Sequence, residues 1–245
     1  LKALLTGDRS DLSAHTTNAF RDSGASHILA LSGLHLGIIY GIVVKAFAVL
    51  GNSPAAVKAR STLTIAATGA YCIMVGAAPS ISRAFLFILL RELSVIFGRS
   101  ATLRDTLCGA FVIQVCLDAG AVRSVSFQLS YLAIAGIAYI YTPLQGIFPQ
   151  TGLKHSPARW IWNSVALSTA CQITTGPAAW LYFRTFPQYF ILTNLISLPL
   201  TGILIPAALL AALLSALDIC PSLMIRATEF LADTLRQSLE IIAGM

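Results

Sequence analysis

Charge is scarce in this chain: 11% of its 245 residues are Asp, Glu, Lys or Arg, against about a quarter in soluble domains. That shortage excludes an ordinary soluble fold, which has to cover its core with charged amphipathic elements. Cysteine offers no framework either. Cys72, Cys108, Cys116, Cys171 and Cys220 are odd in number, show no CxxC or Cys/His ligand spacing, and lie in or beside apolar stretches, so they read as small buried hydrophobes and imply no metal. Residues 1–22 lack the basic start and apolar middle of a signal peptide. The chain begins Leu1-Lys2-Ala3 without a Met and is read as a piece of a longer protein. No phosphate-cradling GxxxxGK[ST] loop occurs, so a nucleotide-driven motor would have to be a separate protein.

What fills the sequence is apolar: 56% of residues are hydrophobic and the mean hydropathy is +0.78. Crossing a bilayer takes about 20 apolar residues in a helix, which satisfies its own backbone where water is absent. By that measure the chain is all-α, a polytopic transmembrane bundle of about seven spans over 28–50, 61–78, 81–98, 105–121, 125–142, 160–183 and 190–216. Continuous apolarity without alternation excludes a transmembrane β-barrel. A short surface helix is expected over 8–23, with Leu12, His15, Ala19 and Phe20 at helical spacing, Ser10 as its cap and Gly24 as its stop. An amphipathic helix is expected over 222–243, with Ala227, Leu231, Leu235, Leu239 and Ile242 on one face, lying on the membrane or packing on the bundle. Basic residues in alternate connections, Lys58, Arg60, Arg99, Arg104, Lys154 and Arg159, outnumber Arg83, Arg123 and Arg184 on the other side. This places the first set in the cytoplasm and residues 1–26 outside.

Polar groups interrupt these spans at particular places. His27, Ser32 and His35 sit among Gly33, Gly37 and Gly41, whose four-residue recurrence permits close helix packing. Polar groups inside a membrane need a partner or water, so this stretch is either a packing face with His35 bonded to a neighbour or part of a substrate path. Gly76 and Pro79 mark a break between helices, with Ser80 or Ser82 able to cap the next. Arg83, just beyond, either snorkels to the interface or binds phosphate. Arg91 and Glu92, being adjacent, point in different directions. Ser126, Gln128 and Ser130 open the fifth span. Gln172, Thr174, Thr175 and Pro177 break the sixth, and Asn194, Ser197, Pro199, Gly202 and Pro206 the seventh. Interrupted helices favour a translocation path over a passive anchor.

The segments LLTGDRSDLS at 4–13, SHILALSGLHLG at 26–37, Tyr71 with GAAPSISRA at 76–84, FQLS at 127–130 and Asn194 with Pro199 resemble, in order and over nearly the whole chain, the ComEC competence proteins. Ser126 departs from the glycine common there, and the loop at 143–159 is particular to this chain. The resemblance implies an inner-membrane channel domain that passes single-stranded transforming DNA into the bacterial cytoplasm. His27, Ser32, Gly33, His35, Arg83, Gln128, Ser130 and Asn194 would line the path, and Gly37, Gly41, Gly76, Pro79 and Pro199 would serve packing and bending. It also implies an outer oligonucleotide-binding-like domain and a metallo-β-lactamase-like domain outside this stretch. Further partners would be membrane lipid, a DNA receptor, a cytoplasmic motor or helicase, and further copies of the chain. The four histidines, at 15, 27, 35 and 155, form no HxHxDH signature, so any nuclease activity would reside elsewhere and the domain itself would be no enzyme, without metal or cofactor. Arg83, Arg91, Arg123 and Arg184, with Tyr71, Phe127, Tyr131, Trp180 and Tyr182, are the charged and aromatic groups available to a strand.

Two other readings remain open at this level. One is a generic small-solute transporter. The other is an intramembrane hydrolase using Ser32 and His35, which stand three apart on one helical face.

Overall fold

A computed structural model describes residues 14–25, 32–148, 156–184, 188–217 and 219–244. Among these residues there is no strand. The helices are α1 (Ala14–Asp22), α2 (Gly33–Phe47), α3 (Pro54–Met74), α4 (Pro79–Ile96), α5 (Leu103–Leu117), α6 (Val125–Gly136), α7 (Thr142–Gly146), α8 (Pro157–Phe183), α9 (Phe190–Ala216) and α10 (Ser222–Ala243). A π-helical turn, Ile137–Tyr141, joins α6 to α7.

Each of the seven segments read from hydropathy is helical through its middle. Among the described residues, three stretches are long and apolar enough to cross a membrane by length and composition, namely Gly33–Leu50, Val125–Gly146 and Phe190–Ser215. The others differ for physical reasons. α5 has 15 residues, about 22 Å at 1.5 Å per residue, short of a bilayer core of about 30 Å. α3 opens with Lys58 and Arg60, and α8 carries Asn163, Gln172 and several hydroxyls.

Helix starts follow capping chemistry. Ser53, Ser124 and Ser156 accept from Ala56, Phe127 and Arg159 backbone N–H groups, and Thr102 with Asp105 forms a reciprocal capping box, each satisfying donors that a first turn leaves free. α4 departs from the serine expectation: Ala78 is its N-cap with no side-chain bond and Pro79 opens it, a position where the missing proline N–H costs nothing. Ser82 instead donates to Ala77 O at 2.9 Å. The expected break before it is present, with Gly76 at φ 77° and Ala77 at φ 47°. Gly24, at φ 80°, follows α1 as its stop.

The chain divides into two compact units, residues 1–42 with 187–245, and residues 43–186. In the first, α10 packs on α9 and α1. Phe20, Ala25, Leu204, Leu235 and Leu239 form its core, with Leu231 and Ala232 against it. Leu235, Leu239 and Ile242 of the expected inward face are buried and Leu231 packs against the core, while at the start of α10 Thr228 is buried and Ala227 exposed. Thr193 donates to Ser23 O at 2.8 Å, and Arg236 bridges Asp233 and Glu240.

In the second unit α3 packs on α4, and α6 packs most extensively on α8. Leu107, Ala110, Phe127, Tyr131 and Ala138 form its core. The Phe127 and Tyr131 rings lie 4.4 Å apart, and Phe111 meets Tyr131 edge-on at 5.4 Å. Among the described glycines, the tightest approach is at Gly136, where a Cβ would fall 2.4 Å from Ala170 O. Gly37 and Gly41 have nothing within 4 Å of where a Cβ would stand.

Candidate functional site

Antiparallel packing gathers one end of the second unit from the start of α4, the end of α5, the start of α6 and the end of α8. Arg83, one turn into α4, is only 3% exposed, and a guanidinium so placed needs strong acceptors. Its Nη2 donates to Ser126 O at 2.9 Å and to Ser126 Oγ at 2.6 Å, while its Nε has no partner. Arg83 therefore latches α4 to the first turn of α6, buried within the unit.

Gln128 is used at both ends of its amide. Nε2 donates to Val122 O at 2.9 Å, and Oε1 accepts from Tyr182 OH at 2.7 Å. Deeper in the unit, Tyr131 OH donates to Gln114 Oε1 at 2.9 Å. Ser130 is half-buried on the same helix. At the rim Arg184 closes α8 in the left-handed region at φ 54°, and its guanidinium lies 5.1 Å from the centre of the exposed Trp180 ring. Arg123 is exposed on the short turn Ala119–Arg123 before α6.

At the opposite end Arg104 Nε donates to Ala138 O at 3.1 Å, on the π-helical turn, and its charge stands over Tyr139 at 4.8 Å. An open cleft of about 720 Å³ lies there, lined by Leu90, Leu93, Ser94, Phe97, Arg99 and Asp105 among others. The Asp105 carboxylate is already bonded to Thr102 N and Oγ1.

The remaining candidates belong to the first unit. Ser32 immediately precedes α2, and His35 is the third residue of that helix. His35 Nδ1 accepts from Ser32 N at 3.3 Å and lies 3.0 Å from Ser32 Oγ, and His35 N donates to Ser32 O at 3.1 Å. The spacing and the back-bond are those of a capping box with histidine in place of Glu or Gln. When Nδ1 accepts the backbone N–H, the neutral ring carries its proton on Nε2. Gly33 is exposed and Asn194 half-buried. His27 lies outside the described residues. The structure thus joins Ser32 with His35, and Arg83 with Ser126, but Asn194 and Ser130 make no recorded bond with either pair. Among the described residues no three His, Cys, Asp or Glu side chains gather as a metal site.

Two features escaped sequence reasoning. One is the role of Ser126, which stood out in the sequence as a polar residue opening the fifth span and a departure from a glycine, and which supplies both acceptors for Arg83. The other is how charge divides. Residues 43–186 carry eleven Lys and Arg against three acidic residues, Glu92, Asp105 and Asp118, whereas the other unit carries five basic against seven acidic. The net charge of +6 therefore combines a second unit at +8 with a first at −2. The spacing of acidic residues alone signals this, since none occurs between Asp118 and Asp218.

Against this geometry stand the comparisons with known proteins. The Competence protein family model matches residues 4–245. The chain belongs to that family. Among curated proteins, ComE operon protein 3 of Bacillus subtilis (strain 168) is 26% identical over 222 residues, which is 89% of this chain and 26% of that protein. The competence chain accordingly spans about a quarter of that relative's length. No solved structure matches it.

Proposed function

We propose that this competence-family chain is the membrane-embedded channel domain through which single-stranded DNA enters the bacterial cytoplasm. The observation that carries the reading is the family match over residues 4–245. The division of charge supports it, because a polyanion is attracted to a unit at +8 and not to one at −2. The proposed topology has seven spans in the inner membrane, four of them shorter or more polar than the three long apolar ones, with residues 1–26 on the outer side. In that orientation the end bearing Arg83, Arg123 and Arg184 faces outward and receives the strand. The role is conduction without catalysis by this domain. A DNA receptor, a cytoplasmic motor, lipid, other copies of the chain and domains beyond this stretch are its proposed partners.

The test is uptake of labelled DNA by transformable cells whose own copy is replaced by variants that still insert in the membrane. Arg83→Gln and His35→Leu should each lower internalised DNA. Unchanged uptake in both would show that entry of the strand depends on neither residue, whether as a contact or as a support of the fold. A second reading, an intramembrane hydrolase, draws on the 3.0 Å contact between Ser32 Oγ and His35 Nδ1. It requires labelling by a serine-reactive probe that disappears in Ser32→Ala, whereas a helix cap gives no labelling.

A further inference from the structure

Tyr182 is 46% exposed, and its hydroxyl donates to a protein acceptor, Gln128 Oε1, at 2.7 Å in an exposed hydrogen bond. A tyrosine that only anchors a protein at a membrane surface leaves its hydroxyl to water or headgroups instead of committing it to a protein acceptor. Gln128 in turn donates to Val122 O at 2.9 Å, so a continuous chain of hydrogen bonds ties the ring to the turn that carries Arg123. On the other side, Arg184 follows Tyr182 by two residues and adopts a left-handed conformation that a non-glycine residue holds at a cost. Its stacking on Trp180 fixes the guanidinium at the helix end. A pinned, exposed ring is thus bonded through Gln128 to the turn of the exposed Arg123 and precedes the exposed Arg184 by two residues. The acidic residue on these same turns, Asp118, has its Oδ1 bonded to Gly120 N at 2.9 Å.

We infer that Tyr182 is a stacking surface for one unpaired nucleobase, with Arg123 and Arg184 as the flanking phosphate contacts and Gln128 as the residue that positions the ring. The inference rests on the DNA reading above and adds to it a specific contact, one that takes single strands of any sequence. An aromatic face accepts every base, and a paired base offers no free face. A purely electrostatic surface would need only the arginines. A lipid anchor would need the hydroxyl free.

The experiment uses the full chain purified in detergent and a fluorescent single-stranded thymidine oligonucleotide, read by anisotropy. Base stacking on an aromatic side chain is worth about 1–3 kcal/mol, so Tyr182→Leu should weaken binding by roughly 5- to 150-fold, and Tyr182→Trp should restore most of it. Arg123→Gln and Arg184→Gln should each weaken binding and flatten its salt dependence. Gln128→Leu should weaken single-strand binding through loss of ring position, leaving the slope against salt unchanged. If the wild type binds and Tyr182→Leu binds equally well, the stacking role is overturned while the DNA reading stands. If Tyr182→Leu instead reduces partition into phosphatidylglycerol vesicles with oligonucleotide binding intact, the residue is an interfacial anchor and the inference fails. If the wild type binds no oligonucleotide under any salt condition, the DNA reading itself falls.

Discussion

Replacing Gly136 with alanine should force α6 away from α8. The new Cβ would stand 2.4 Å from Ala170 O and 2.6 Å from Thr174 Oγ1. Ordinary contact begins about 1 Å further out, and neither obstacle yields readily. Ala170 O is backbone, and the Thr174 hydroxyl is held by Cys171 O at 2.9 Å and Ala170 O at 3.3 Å. Overpacking of this kind typically costs about 1–3 kcal/mol, and because both obstacles are fixed the upper part of that range applies. Alanine returns about 1 kcal/mol through its better helix propensity. The net loss is then about 1–2 kcal/mol, a fall in melting temperature of about 2–8 °C for a chain of this size.

Two measurements check it. Thermal unfolding in detergent, followed by circular dichroism, gives the global effect. A variant retaining only Cys171, whose Sγ lies 3.9 Å from Ala133 O across the same pair of helices, reports the local one as faster thiol labelling. Gly37→Ala and Gly41→Ala are the controls, since nothing lies within 4 Å of a Cβ at either position, and both should melt at or slightly above the parent temperature. The reasoning is refuted if Gly136→Ala melts with the parent and leaves Cys171 labelling unchanged, or if Gly37→Ala falls as far as Gly136→Ala.

Three further outcomes follow from the same geometry. Ser126→Ala removes the shorter of the two bonds to the buried Arg83 guanidinium and should cost about 1–3 kcal/mol, read by the same melts; an unchanged melt would show that the carbonyl alone suffices. Ser197 and Thr201, one turn apart on α9 and both 0% exposed, have hydroxyls without partners, so Ser197→Ala and Thr201→Val should be neutral or stabilising by up to about 1 kcal/mol. A loss in either would show that the hydroxyl is satisfied, for example by water. His35→Gln should keep the back-bond to Ser32 N that a capping box requires, whereas His35→Leu should lose about 1 kcal/mol; DNA uptake retained in the first and lost in the second would assign His35 a capping role, and uptake lost in both would require the imidazole itself.

Hydropathy located the spans because each is predominantly apolar and several are punctuated by Gly, Pro or Ser at their ends, as at Gly76 and Pro79 and at Ser156 and Pro157. Pairing was another matter. Ser23 and Thr193 bond across 170 positions and Arg83 and Ser126 across 43, and no local period carries that information. The same limit explains the glycines. A four-residue recurrence at Gly33, Gly37 and Gly41 says that a backbone could come close, and only the neighbour decides whether it does, which it does at Gly136. The inward face of α10 starts at Thr228 instead of Ala227 because Thr228, by donating to Ile225 O at 2.7 Å, can be buried as readily as an alanine.

The polar residues that interrupt these apolar segments were the strongest sequence signal for a substrate path, and in the structure most of them are already engaged. In the second unit Arg83 holds Ser126, Gln128 joins Val122 to Tyr182, Tyr131 reaches Gln114, Gln145 meets Asn163 at 3.2 Å and Trp162 donates to Leu144 O at 3.2 Å. Where apolar surfaces gain little from packing against one another in lipid, such bonds and close contacts are what fix one helix against the next. Thr64, Thr68, Thr174 and Thr175 turn back to their own helix carbonyls, which satisfies a hydroxyl without a neighbour. Groups spent in either way are poor ligands for a passing strand, because binding it would first break a bond of the fold. A polyanion is better met by side chains whose charge is exposed and whose position is fixed by something else. In the second unit Arg123 stands on the turn bonded by Gln128, Arg184 is stacked on Trp180, and the Tyr182 ring is tethered through its hydroxyl. On the proposed DNA reading, contact with the strand would therefore belong to the ends of the helices, and the polar middle of the sequence would hold those ends in place.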